Sequence, residues 1–196
     1  MAWAAFAQTF VTLLVIMDPV GTAPIFMALT AGRTNRSRRL LAIQAAAAAG
    51  LIIAGFALFG RLVLTYLGVT VQALSIAGGL LLLLVALQMF RGESMEPRNT
   101  RNVALVPLAS PLLAGPGAIA AVMVLAGRHD TLVGRLAIIG AVLAVVVVVA
   151  LGLLLAERIG RLVRPAAIGL ITNVLALLLS AIAVQLILSA VQSLRA

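Results

Sequence analysis

The chain has 196 residues, of which 64% are hydrophobic and 10% charged, and its mean hydropathy is +1.24. A soluble domain of this length has no core large enough to hide so much apolar surface, so the chain reads as a membrane protein. Its formal charge of +9 comes from 14 basic residues, all arginine, and the lack of cysteine excludes disulfides and thiolate metal sites.

The first apolar run, Trp3 to Ala31, has no positively charged region before it and continues through Asp18, so it reads as a span rather than a cleavable presequence. Within it lies MDPVGTAPIF, Met17 to Phe26, where a carboxylate, two prolines and a glycine interrupt a hydrophobic segment. Asp18-Pro19 is the pattern of an N-cap followed by proline at the first helical position. A helix is therefore expected to begin there, in mid-membrane, making the span two half-helices joined by non-helical backbone, with Pro24 as a second break residue. Leu40 to Phe59 is the second span. The segment Leu62 to Gly68 is too short to cross and is expected to extend a neighbouring helix or to lie at the interface. Thr70 to Phe90 is the third span and Val103 to Gly127 the fourth. The fourth carries SPLLAGP, in which Ser110-Pro111 repeats the cap-and-proline pattern and Gly115, Pro116 and Gly117 follow. Leu132 to Ala156 and Ala166 to Leu194 complete six spans, each beyond the ~20 residues that cross about 30 Å of hydrocarbon. His129, the single histidine, sits beside Arg128 and Asp130 in a short loop and reads as solvated, with no second ligand type near it.

The arginines sit at the span ends. Arg33, Arg36, Arg38 and Arg39 follow span one; Arg91, Arg98 and Arg101 follow span three; Arg158, Arg161 and Arg164 follow span five. The other four, Arg61, Arg128, Arg135 and Arg195, fall on the opposite side. The positive-inside rule then puts loops one, three and five in the cytoplasm and both termini outside. Charges so placed set topology and meet anionic headgroups of the bilayer; they do not form a nucleic-acid patch.

Six spans divide three and three, so a repeat between the halves has to be inverted. Pro19 and Pro24 are five apart in the first span of one half, and Pro111 and Pro116 are five apart in the first span of the other, an offset of 92. SIAGGLLLLLVALQ, Ser75 to Gln88, resembles TNVLALLLSAIAVQ, Thr172 to Gln185, at an offset of 97. The expected fold is all-α: one transmembrane domain over 1–196, with a first three-helix repeat at 1–90, a cytoplasmic linker at 91–102 and an inverted second repeat at 103–196, helices one and four being broken. Breaks at equivalent places in inverted halves point to a transporter site at the repeat interface. The candidate substrate-binding residues are Asp18, Gly21, Thr22, Ser75, Gly115, Gly117 and Asn173, with Pro19, Pro24, Ser110, Pro111 and Pro116 as the break residues. Half-helix N-termini suit a substrate carboxylate, and Asp18 with unwound carbonyls suits an ammonium group. Simpler readings stand beside these: Asp18 as a cap only, Asn173 in an interhelical hydrogen bond, Ser75 bonded back to its own preceding turn, and Ala77 to Gly79 as a close-packing face.

An enzyme is not expected. An intramembrane hydrolase needs a nucleophile with a base, or paired aspartates, and Asp18 is the one aspartate inside a span, with no His or Cys to join it. No cofactor is expected, and the coupling ion, H+ or Na+, is open. A channel or structural membrane subunit, or efflux of other small solutes such as drugs, is the alternative to a carrier, and self-association into a homo-oligomer is compatible with either.

MDPVGTAPIFMALT near the N-terminus, SIAGGLLLLLVALQM in span three and VPLASPLLAGPGAIAAVMVL in span four together resemble the MarC family, also called the small neutral amino acid transporter family. The resemblance runs in matching order over nearly the whole chain. It implies a six-span inner-membrane protein of bacteria or archaea that transports glycine, alanine, serine or threonine; the family's older association with multiple antibiotic resistance is a weaker guide. Asp18, Pro19, Gly21 and Pro24 occupy the signature positions of the first motif, and Pro111, Gly115, Pro116 and Gly117 those of the third.

Overall fold

Threonine caps and proline starts set the helix boundaries. The computed structural model describes residues 2–91, 113–129, 131–158 and 165–195, and the regular structure among them is entirely helical. Helix α1 (Ala2–Met17) and α2 (Pro19–Leu29) are separated by Asp18 alone. Then come α3 (Asn35–Leu67), α4 (Val71–Phe90), α5 (Pro116–Arg128), α6 (Leu132–Leu154) and α7 (Pro165–Arg195). Thr34, Thr70 and Thr131 cap α3, α4 and α6: each adopts extended backbone, and its hydroxyl accepts from the amide three residues on. Gly68 ends α3 with φ 67°, a left-handed value that suits glycine, so Leu62 to Leu67 is the last part of α3 rather than a separate piece.

Five helical runs among the described residues are long and apolar enough to cross a membrane: Ala2–Ala23, Asn35–Leu67, Val71–Phe90, Leu132–Leu154 and Gly169–Leu194. The fourth expected span is represented by α5, whose 13 residues reach about 20 Å, short of the hydrocarbon thickness. Ser110 and Pro111 lie outside the described residues, as does the linker beyond Arg91.

Large apolar side chains such as Leu51, Leu62, Leu136 and Leu177 stand exposed, as suits helices bathed in lipid. Lipid tails give no hydrophobic drive for helices to associate, so close fit and small residues hold the bundle. The most extensive pairing is α4 with α7, followed by α6 with α1 and with α3; α5 packs against α4, α3 and α1. A Cβ at Gly78 would strike Ala120 of α5, and one at Gly79 would come 2.8 Å from the Ala183 carbonyl of α7. Of the expected close-packing face at Ala77 to Gly79, Gly78 and Gly79 thus join α4 to both neighbours, while Ala77 is exposed.

These contacts also fix directions. Gly50 meets Val146 and Arg38 pairs with Glu157, so α3 and α6 are antiparallel. Gly78 meets Ala120 and Gly117 meets Leu82, so α5 runs against α4 and with α3. The short turn 30–34 turns α2 into α3, so α2 ends on the face where α3 begins. Therefore α2 and α5 run apart, to opposite faces.

Candidate functional site

Sixteen residues of α1, about 24 Å, precede Asp18, and eleven of α2, about 16 Å, follow it, so the break lies well inside the apolar layer. Asp18 is 8% exposed and, among the described residues other than glycine, it alone has positive φ, at 36°. Asp and Asn are the side chains that tolerate this region best. Asp18 belongs to both helices: its N–H donates to the Leu14 carbonyl at 3.1 Å, closing α1, and its carbonyl accepts from the Thr22 N–H at 2.9 Å, opening α2. Its Oδ1 accepts from the Gly21 N–H at 2.9 Å, the N-cap bond that the Asp-Pro pattern predicts.

That capping bond has a consequence one turn back. In an uninterrupted helix the Gly21 N–H would donate to the Met17 carbonyl, which is left open when Asp18 takes the donor. The buried Thr22 hydroxyl fills the place, donating to the Met17 carbonyl at 3.1 Å. Gly21 supplies room: a Cβ there would fall on the Asp18 carboxylate. Pro19 has no N–H to satisfy, and it rests on α6, where a Cβ at Gly152 would approach its Cβ to 3.0 Å. Pro24 lies inside α2 and denies that helix one further N–H.

In the second half, α5 begins at Pro116 with Gly115 as its N-cap in extended backbone, and no side chain caps it. The Gly115 carbonyl accepts from Ala118 and Ile119, so the Gly117 N–H has no intrahelical acceptor. Gly117 faces Leu82 of α4 at about the level eight residues from Phe90, roughly 12 Å inside that helix end. The Asp18 break and the start of α5 share a core: Met17 and Leu13 ahead of the first, and Leu113, Ala114 and Ala118 around the second, belong to one cluster of buried side chains.

The other candidates do not join this arrangement. The Ser75 hydroxyl donates to the Val71 carbonyl at 2.6 Å, the simpler of its two readings. Asn173 stands on the exposed face of α7, and the interhelical hydrogen bond expected for it is not seen among the described residues. Gly117 contributes a close contact to Leu82 through its missing side chain, and Thr22 is bonded to the backbone. Gly152 was not singled out from the sequence; a lone glycine in VVVVVALGLLL is the sign of close backbone approach that marks it.

A family model described as MarC family integral membrane protein matches residues 3–194. The chain is 36% identical to a UPF0056 membrane protein of Methanocaldococcus jannaschii, over 95% of this chain and 96% of that one. It is 34% identical to a UPF0056 membrane protein of Aquifex aeolicus, over 96% and 93% of the two chains. The UPF0056 membrane protein YhcE of Escherichia coli is 27% identical over 95% and 92%. No solved structure matches significantly.

Proposed function

The chain belongs to the MarC family of integral membrane proteins, and on that footing we propose that it carries small neutral amino acids, glycine, alanine, serine and threonine, across the cell inner membrane by alternating access. The observation that carries this reading is the pair of helix starts inside the apolar layer, Asp18-Pro19 and Gly115-Pro116, whose helices run to opposite faces. Backbone that is not helical at membrane depth is tolerated where it is buried in protein or lines a polar cavity. Two such places in corresponding parts of a chain are the pattern of broken-helix carriers.

The two starts differ in a way that suits a zwitterion. The N-terminus of α2 is already occupied by the Asp18 carboxylate, whereas that of α5 has no side-chain cap. An amino-acid carboxylate would accept from the N–H groups of Gly115 and Gly117 and gain from the positive end of α5. The ammonium group would take the Asp18 oxygen that Gly21 leaves free. Among the candidates, Asp18, Gly21, Gly115 and Gly117 carry this role, the last three through backbone; Thr22 holds the break in shape. A proton or Na+ sharing Asp18 is the coupling ion this arrangement would accommodate.

The packing supports an inverted repeat of 1–90 on 103–196. An axis in the membrane plane would exchange α3 with α6 and α4 with α7, and both pairs are in contact. It would also exchange the α2–α6 contact with α5–α3, and both occur. Six spans with external termini follow from that arrangement and the arginine distribution.

Binding is tested by thermal unfolding of the detergent-purified chain. Glycine, alanine, serine or threonine should raise the transition with concentration, while glutamate, lysine and tryptophan should not. Stabilisation by a hydrophobic drug and by none of these amino acids would contradict the reading.

A further inference from the structure

On the face where α2 ends and α3 begins, a cavity of about 270 Å³ opens between the first turns of α3 and the segment that follows α6. Its basic wall is Arg38, Arg39 and Arg158; Leu153 and Leu154 form an apolar wall beside it. The one acid is Glu157, whose Oε2 accepts from Arg38 Nη1 at 3.2 Å. Three arginines against one glutamate leave a net charge of +2 in the lining. Arg38 Nε is buried with no hydrogen-bond partner among the described residues. Neither Arg39 nor Arg158 has a carboxylate partner among the described residues.

The helix itself adds to this imbalance. The first turn of α3 has no acidic residue and is followed at once by Arg38 and Arg39, so cations gather at the positive end of the helix dipole, where anions are favoured. Two arginines without carboxylate partners among the described residues and an uncompensated helix N-terminus are both satisfied by one kind of ligand. We infer that this cavity is a binding site for a phosphate group, carried by an anionic lipid headgroup or by a soluble phosphate. Guanidinium forks match the paired oxygens of phosphate, and arginine is the side chain suited to such recognition. The leucine wall next to the arginines reproduces the boundary between acyl chain and headgroup, and basic pockets between transmembrane helices are where anionic headgroups bind. None of the lining residues belongs to the proposed transport site, but Leu153 in the apolar wall is next to Gly152, which meets Pro19. An anion there would brace the α3–α6 pair beside the first break.

The test measures thermal unfolding of the detergent-purified full chain against added phosphatidylglycerol, phosphatidylcholine and inorganic phosphate. Phosphatidylglycerol should stabilise the chain and phosphatidylcholine should not. Arg39→Gln/Arg158→Gln, at two exposed positions, should weaken the effective affinity about tenfold or more. Arg128→Gln on the opposite face should leave it unchanged. Stabilisation by inorganic phosphate with the same variant pattern assigns the site to a soluble phosphate; its absence assigns the site to the lipid. Stabilisation by neither, full affinity in the Arg39→Gln/Arg158→Gln variant, or equal loss in Arg128→Gln overturns the inference.

Discussion

Replacing Asp18 separates its capping from its charge. Asp18→Asn keeps an oxygen to accept from Gly21 N–H and a side chain that tolerates φ of 36°, so the change in stability should stay under about 1 kcal/mol. Asp18→Ser keeps a cap, yet serine is a poorer fit to left-handed backbone, which adds roughly 1 kcal/mol. Capping preference alone would make the two equal; the backbone angle makes Asn the better tolerated. In Asp18→Ala the Gly21 N–H loses its acceptor, at about 1–3 kcal/mol, and the left-handed residue costs about 1–2 more, for a total of roughly 2–5 kcal/mol. Thermal unfolding in detergent gives the stability order, Asp above Asn above Ser above Ala, and uptake by reconstituted protein gives the function. The expected result is a folded, inserted Asp18→Asn protein that has lost most transport. Wild-type uptake by that variant would refute a role for the charge, and Ser more stable than Asn would refute the argument from the backbone.

Thr22→Val removes the hydroxyl that serves the Met17 carbonyl and should cost about 1–3 kcal/mol with little change in volume, read from the unfolding transition. Gly117→Val should destabilise by about 1–3 kcal/mol because its side chain meets Leu82. Gly127→Ala in the same helix meets nothing within 4 Å and should be neutral or stabilising by up to about 1 kcal/mol. A reporter fused after Arg195 should read as external and one inserted between residues 93 and 99 as cytoplasmic. Both on one side would contradict the three-plus-three arrangement, and an exchanged pair would contradict the arginine rule.

What the sequence made legible was local. Composition and run length identify the all-α membrane class, the Asp-Pro pair marks the cap at Asp18, and the Gly78-Gly79 pair marks the tight contacts of α4. The continuation of α3 through Leu62 to Leu67 was one of two readings, and the left-handed Gly68 decides it. Features that depend on helix rotation were not legible. Asn173 and Thr172 are neighbours in a motif, but only the packing of α7 on α4 reveals that Asn173 faces outward. Gly117 suits ligand approach and helix contact equally until Leu82 is found against it. The Thr22 hydroxyl has a partner only because Asp18 diverts the Gly21 donor. The positive φ of Asp18 was hidden for a related reason: an N-cap is ordinarily extended, whereas this one also terminates the preceding helix.

Counterflow in liposomes tests the central claim most directly. Vesicles holding the purified chain and preloaded with unlabelled alanine should accumulate labelled glycine, alanine, serine or threonine transiently above equilibrium, with saturable kinetics, and Asp18→Asn vesicles should not. Equilibration without overshoot, rising linearly with concentration, would mark a channel and contradict alternating access; no flux of these amino acids in either direction would contradict the substrate class.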